Sequence, residues 1–245
     1  MEAMQTQNVD DLKVTDRSKA HPRRWVAPAV VFAVATVVTG VLIAAVSRQT
    51  LFVSYDPIVT AGALTWRMPW LTAVAQVFTF MGTALFLVPV ATVLVLTLLA
   101  KRRYWAGLVA TLTMLIGLGL TSLLKNLIGR NRPPANHQIG DFLGSYAFPS
   151  GHTLNTTVVI GVLAFLLMKS YPRLRGLLAI LWLAQVALVG MSRIYLGYHW
   201  LTDVLGGFSI GLIVLAAGYA AALFLSDAAT PATAESTRPL RPGLS

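Results

Sequence analysis

Long apolar runs separated by short polar stretches dominate this chain. The runs cover residues 25–46, 71–99, 104–124, 152–168, 174–191 and 201–225. Each is of the order needed to cross a bilayer, for which a helix uses about 20 mostly apolar residues. The pattern predicts an all-α polytopic bundle with six transmembrane helices. The first run exceeds the ~7–15 residues of a cleavable signal core, so it is read as a retained span. The second is the longest, and Pro89, which lacks a backbone donor, is its predicted kink; Lys101, Arg102 and Arg103 stop it. In the third, Gly107, Gly117 and Gly119 allow a neighbouring helix to approach closely.

The polar stretches complete the layout. Residues 1–24 and 226–245 lack apolar periodicity and are predicted to be flexible tails on either side of one six-span domain, residues 25–225. The stretch 48–70, with Asp56, Pro57, Arg67 and Pro69, is predicted to carry a short interfacial helix, and no function is legible in it. Residues 125–150 form the longest internal polar segment. No internal repeat is present.

Composition sharpens this picture. The chain has 245 residues, 56% of them hydrophobic and 11% charged, against roughly 25% charged in soluble domains. The absence of cysteine removes disulfides, thiolate metal sites and a cysteine nucleophile. The formal charge of +10 fits loops held against an anionic bilayer surface. No basic, aromatic-interleaved motif appears, so a lipid bilayer is the expected partner and nucleic acid is not. With both termini placed inside, thirteen of the nineteen basic residues lie on the inner side. That bias predicts cytoplasmic termini and a multi-pass protein of the cell membrane.

Six spans put the loops after the third and fifth on the opposite, extracytoplasmic face. Three polar clusters then meet there: residues 125–133, 147–157 and 192–203. Lys125, Arg132 and Arg193 bring three cations to the edge of a low-dielectric medium, with only Asp141 and Asp203 noted nearby as compensation. Such a surplus suits a multiply charged anion, and a guanidinium fork matches phosphate. Arg130 is left open between a headgroup anchor and a pocket residue. In Pro149-Ser150-Gly151-His152, the start of a helix offers unpartnered N–H groups and a dipole to an anion. Gly151 leaves the backbone accessible and Ser150 adds a hydroxyl; by itself the tetrapeptide also fits a plain helix cap. His199 and Asp203 stand four apart, which on a helix places both on one face and lets the carboxylate orient the imidazole. Tyr195, Tyr198 and Trp200 read as an interfacial aromatic belt. His21 and His137 are read as non-catalytic.

These residues resemble the type 2 phosphatidic acid phosphatases, integral membrane lipid phosphatases that share a catalytic core with vanadium haloperoxidases. The family pattern K-x6-R-P, P-S-G-H and S-R-x5-H-x3-D is met by Lys125, Arg132 and Pro133, by Pro149 to His152, and by Ser192, Arg193, His199 and Asp203. The resemblance implies that His199 attacks phosphorus to form a phosphohistidine, that Asp203 orients it, and that His152 acts as general acid and then base. It implies that Lys125, Arg132, Ser150, Gly151 and Arg193 hold the phosphoryl oxygens, with no cofactor and no metal ion. The implied substrate is a lipid phosphate or pyrophosphate, with a polyprenyl (undecaprenyl) pyrophosphate ranked first. Phosphatidic acid and phosphatidylglycerol phosphate are the alternatives. A haloperoxidase and a non-catalytic lipid-binding or transport protein are the other classes weighed. Oligomeric state is left open.

Overall fold

The computed structural model describes residues 23–140 and 144–228, which fold into α-helices and short turns with no strand among the described residues. Helices run over Arg23–Arg48 (α1), Leu51–Thr65 (α2), Pro69–Phe80 (α3), Ala84–Ala100 (α4), Tyr104–Ile128 (α5), Gly151–Ser170 (α6), Arg175–Tyr195 (α7) and Leu201–Ala228 (α8). Among the described residues, α1, α5, α6, α7 and α8 are each long and apolar enough to span a membrane. Helices α3 and α4 pass the same test as a pair bent by 42°, which brings the spans to six. The segments predicted as tails lie outside the described residues, except that residues 23–24 begin α1 and 226–228 end α8.

The bend in the second span is not at Pro89, which sits inside the continuous helix α4. It falls at residues 81–83, where α3 ends and Thr83 takes an extended conformation before α4. A proline in a membrane helix is tolerated where neighbours compensate, and at the break Gly82 packs closely against His152 and Val189. Helix α2 is the helix expected within residues 48–70, yet it is more than an interfacial ribbon. Asp56 and Thr60 on it are buried.

Helices α5 to α8 alternate in direction, with α6 packed against α5, α7 and α8; α1 lies along α8, and α3 lies along α7. Phe148, Leu154 and Val158 meet Leu42, Val46, Ile210 and Val214 in one apolar seam between α1, α6 and α8. That seam fixes the first turns of α6 and α8 side by side. The outward faces stay apolar, with Leu85, Val93, Leu115, Ile180 and Leu181 all exposed. In water such a surface is a liability, and against lipid chains it costs little.

Candidate active site

The C-terminal ends of α5 and α7 and the N-terminal ends of α6 and α8 share one end of the bundle. Helix α5 stops at Gly129, whose φ of 63° reverses the chain and sends Arg130 inward. The α7–α8 turn crosses the α5–α6 connection at Gly197, which has a φ of 78°; a Cβ there would lie 2.0 Å from the His137 carbonyl oxygen. Ile139 N–H donates to the Leu196 carbonyl at 3.0 Å, and Tyr198 Oη donates to the Ile139 carbonyl at 2.6 Å. Arg67 reaches over both turns and donates to the carbonyls of Tyr195 and His137. The two sequence clusters around 132 and 199 are thereby laced together.

His199 sits in the turn before α8, so the pair 199 and 203 does not share a helix face as the spacing suggested. Asp203 lies in the first turn of α8, and its Oδ2 is 3.3 Å from His199 Nδ1. The same oxygen accepts the N–H of Trp200, the residue before the helix, at 2.9 Å. That contact is half of a capping box, and it brings the carboxylate back over the turn to the imidazole. A proton on Nδ1 pointed at Asp203 leaves Nε2 with its lone pair. Arg132 Nη1 stands 3.3 Å from that nitrogen. Burial foremost, then the cations Arg193, Arg132 and Lys125, hold the His199 imidazole well below the usual histidine range, against a hydrogen bond to the Ala147 backbone.

Behind this pair lies a buried charge cluster that the sequence did not disclose. Arg130 is neither a headgroup anchor nor a free pocket cation. It joins Asp203 Oδ1 to Asp56 Oδ2, the latter at 2.6 Å, and donates to Thr202 Oγ1 at 2.6 Å. Asp56 also accepts the Thr202 N–H at 3.0 Å and its hydroxyl at 2.6 Å. Asp203 compensates as expected, and the carboxylate the sequence did not point to is Asp56, 74 residues from Arg130 in sequence; Asp141 lies outside the described residues.

The remaining predicted residues ring His199. Arg193, in the last turn of α7 and only 3% exposed, donates to Thr79 Oγ1 at 2.6 Å. Its guanidinium lies 4.1 Å from the centre of the Tyr198 ring. Its Nε and Nη2 are buried without a hydrogen-bond partner, an arrangement that costs free energy until an anion arrives. Arg132 donates to the carbonyls of Ser145 and Tyr198, and burial lowers its pKa from the ordinary arginine value. Lys125 Nζ donates to the Tyr146 carbonyl at 2.6 Å, leaving two of its three protons for other acceptors.

Ser150 occupies the N-cap position of α6 without a side-chain cap bond, so the plain-cap reading of its hydroxyl fails. That oxygen accepts instead from Thr153 Oγ1 at 3.1 Å, while Ser150 N–H donates to the Asp203 carbonyl at 3.0 Å and ties α6 to α8. A Cβ on Gly151 would meet Thr121 Cγ2 at 2.8 Å, so this glycine serves the close packing of α6 on α5. His152 stands in the first turn of α6, within electrostatic reach of His199. A Cβ on Gly82 would come 3.0 Å from His152 Cδ2 and 2.7 Å from Val189 Cγ1. The aromatic residues form no simple belt. Tyr195 and Tyr198 are buried, and Tyr195 Oη accepts the Met68 N–H at 3.1 Å. Trp200 donates to the Asn131 carbonyl.

Two openings flank the site. A groove of about 390 Å³ runs between α4, α5 and α6, lined by Leu87, Val88, Val95, Met114 and Leu118 with Asn155. Asn155 is one turn beyond His152 on α6, so the apolar groove begins beside the polar pocket. A second, more polar cavity of about 640 Å³ is bordered by Asp56, Arg130, Arg132 and Trp200.

A membrane-spanning helical bundle that gathers two imidazoles, a carboxylate and three cations beside an apolar groove has the parts of an enzyme acting on phosphate esters of lipids. A model of the PAP2 superfamily matches residues 105–226, from α5 to α8. Phosphatidylglycerophosphatase B of Bacillus subtilis (strain 168) is 35% identical over 179 residues, 71% of this chain and 86% of its own. Undecaprenyl-diphosphatase of Sulfolobus acidocaldarius is 28% identical over 120 residues, 47% of this chain and 55% of its own. The crystal structure of the transmembrane PAP2 type phosphatidylglycerolphosphate phosphatase from Bacillus subtilis matches with a TM-score of 0.68 at 31% identity, covering 82% of this chain and 96% of that one. The chain belongs to the PAP2 superfamily and is a multi-pass membrane lipid phosphatase.

Proposed function

We propose that the protein hydrolyses a lipid phosphate through a phosphohistidine on His199. The observation that carries this reading is Arg193, whose buried Nε and Nη2 lack partners beside an imidazole already oriented by Asp203. Nε2 of His199 attacks phosphorus in line with the ester oxygen, and His152 gives its proton to the departing lipid alkoxide. Arg132, Arg193, Lys125, the Ser150 hydroxyl and the first N–H groups of α6 take up the charge that builds on the phosphoryl oxygens. His152 then removes a proton from water, which releases phosphate from His199. The cations and the helix terminus supply the charge stabilisation that a divalent metal gives elsewhere, so the reaction proceeds without one.

The lipid tail lies in the groove between α4, α5 and α6, and the polar cavity beside Arg132 gives phosphate a route to water. Phosphatidylglycerol phosphate is the substrate favoured by the breadth of the similarity to phosphatidylglycerophosphatase B. A polyprenyl pyrophosphate, ranked first by the family resemblance alone, is the second reading, supported by the narrower similarity to undecaprenyl-diphosphatase. The basic-residue bias puts the site at the extracytoplasmic face of the cell membrane. Phosphate release measured with phosphatidylglycerol phosphate, phosphatidic acid and undecaprenyl pyrophosphate, with EDTA, in purified protein and in right-side-out vesicles, tests each part. The expected result is release without added metal, fastest with phosphatidylglycerol phosphate, and with substrate added outside. Strict Mg²⁺ dependence, or access only from the inner side, contradicts the reading.

A further inference from the structure

We propose that Asp56 on α2, outside the residues matched by the superfamily model, is a positioning residue for the nucleophile, acting through Arg130 and Asp203. The inference rests on the reading of His199 as the attacking group. Its basis is the geometry of one buried chain of contacts. Asp56 is 1% exposed, Arg130 8%, Asp203 0% and His199 2%. Asp56 Oδ2 is 2.6 Å from Arg130 Nη2, Arg130 Nη1 faces Asp203 Oδ1, and Asp203 Oδ2 faces His199 Nδ1 at 3.3 Å.

The charges along this chain explain why a second carboxylate is needed. His199 gains positive charge as its Nε2 bonds to phosphorus, and it does so among cations: Lys125 from α5, Arg132 from the α5–α6 connection and Arg193 from α7, with His152 from α6 also facing it. An Asp203–Arg130 pair alone would be neutral and would offer the imidazole little. With Asp56 on the far fork of Arg130, the cluster of two carboxylates and one guanidinium carries a net single negative charge directed at Nδ1. Arg130 also spans the two carboxylates with separate nitrogens, so Asp56 fixes the plane of the guanidinium and with it the plane of Asp203. The contacts of Asp56 to the Thr202 N–H and hydroxyl anchor α2 to the first turn of α8. An asparagine can retain one of those contacts but not the charge.

Two variants separate charge from scaffolding. Asp56→Asn makes the cluster neutral and leaves Arg130 half-paired. Adding Arg130→Gln to it removes the guanidinium charge and so restores the net negative charge, while the new amide at 130 can accept from the one at 56 and donate to Asp203. We expect kcat of Asp56→Asn to fall by about tenfold or more, with inhibition by inorganic phosphate changed by no more than about twofold, since the oxyanion donors remain. The double variant recovers kcat to within about threefold of the parent, the non-additivity expected of directly coupled residues. Asp56→Asn at parental kcat, or a folded double variant no faster than the single one, overturns the proposal. If Asp56→Asn does not fold, the double variant decides by the same threshold. Loss of the fold in both makes the cluster a structural brace and also overturns it. His199→Ala runs in the same assay. Its retaining activity would sink the nucleophile reading, whereas an inactive His199→Ala beside a fully active Asp56→Asn removes the positioning role alone.

Discussion

At the scale of single residues, the proposed mechanism leans most on Arg193. Its stacking on Tyr198 and its bond to Thr79 fix the guanidinium plane, and two buried nitrogens, Nε and Nη2, are left without partners, which the proposed mechanism aims at phosphoryl oxygens. A lysine keeps the charge but has neither the fork nor the stacking face. Arg193→Lys is expected to lower kcat/KM at least about tenfold, by analogy with removal of one oxyanion donor; unchanged kinetics would show that the fork is not used. His199 yields a second expectation. In the proposed mechanism only its neutral form attacks, and burial with nearby cations depresses its pKa in the folded protein. Activity is therefore retained as pH falls below the ordinary histidine value of about 6.5 and is lost only as pH passes through the depressed value. A kcat/KM profile with an acid limb above that ordinary value would contradict the assignment. That the motif residues would gather at one end of the bundle was legible, because cations, imidazoles and a helix start recur there in short local patterns. Asp56 was not, because its partners Arg130 and Thr202 lie 74 and 146 residues away and nothing near it in sequence marks it as charged toward a site.

At the scale of elements, hydropathy placed the spans, and what it missed were the junctions. It gave no reason to break the second span at residues 81–83 rather than at Pro89, and Gly82 at that break packs against His152 and Val189, residues distant in sequence that no local pattern joins to it. Nor did it show that α7 continues to Tyr195 and carries Arg193 in its last turn, or that the turn before α8, and not its face, holds His199. Gly82→Ala tests the first of these contacts. The added methyl would press on His152 and Val189, and a displacement of roughly 1 Å at a general acid can cost about 10²-fold in rate. The expected outcome is a large fall in kcat with the spans intact by circular dichroism; a fully active variant would show that the α3–α4 bend does not position His152.

For the whole molecule, the division of labour follows from the solvent on each surface. The outward-facing shell is largely apolar and was readable from composition, while the polar end depends on crossings between distant turns, such as Gly197 against His137, that no local pattern encodes. The groove between α4, α5 and α6, where the proposed mechanism seats the lipid tail, has a lining mainly of aliphatic residues that looks in sequence like any other membrane helix. What holds the functional reading together is a covalent bond between phosphorus and His199. Rapid acid-free quenching of the purified enzyme with phosphate-labelled lipid measures it directly. Label should appear on the protein in a base-stable, acid-labile linkage, map to the peptide containing residue 199, and vanish in His199→Ala. Turnover without any labelled protein intermediate, or label carried on another residue, would contradict it.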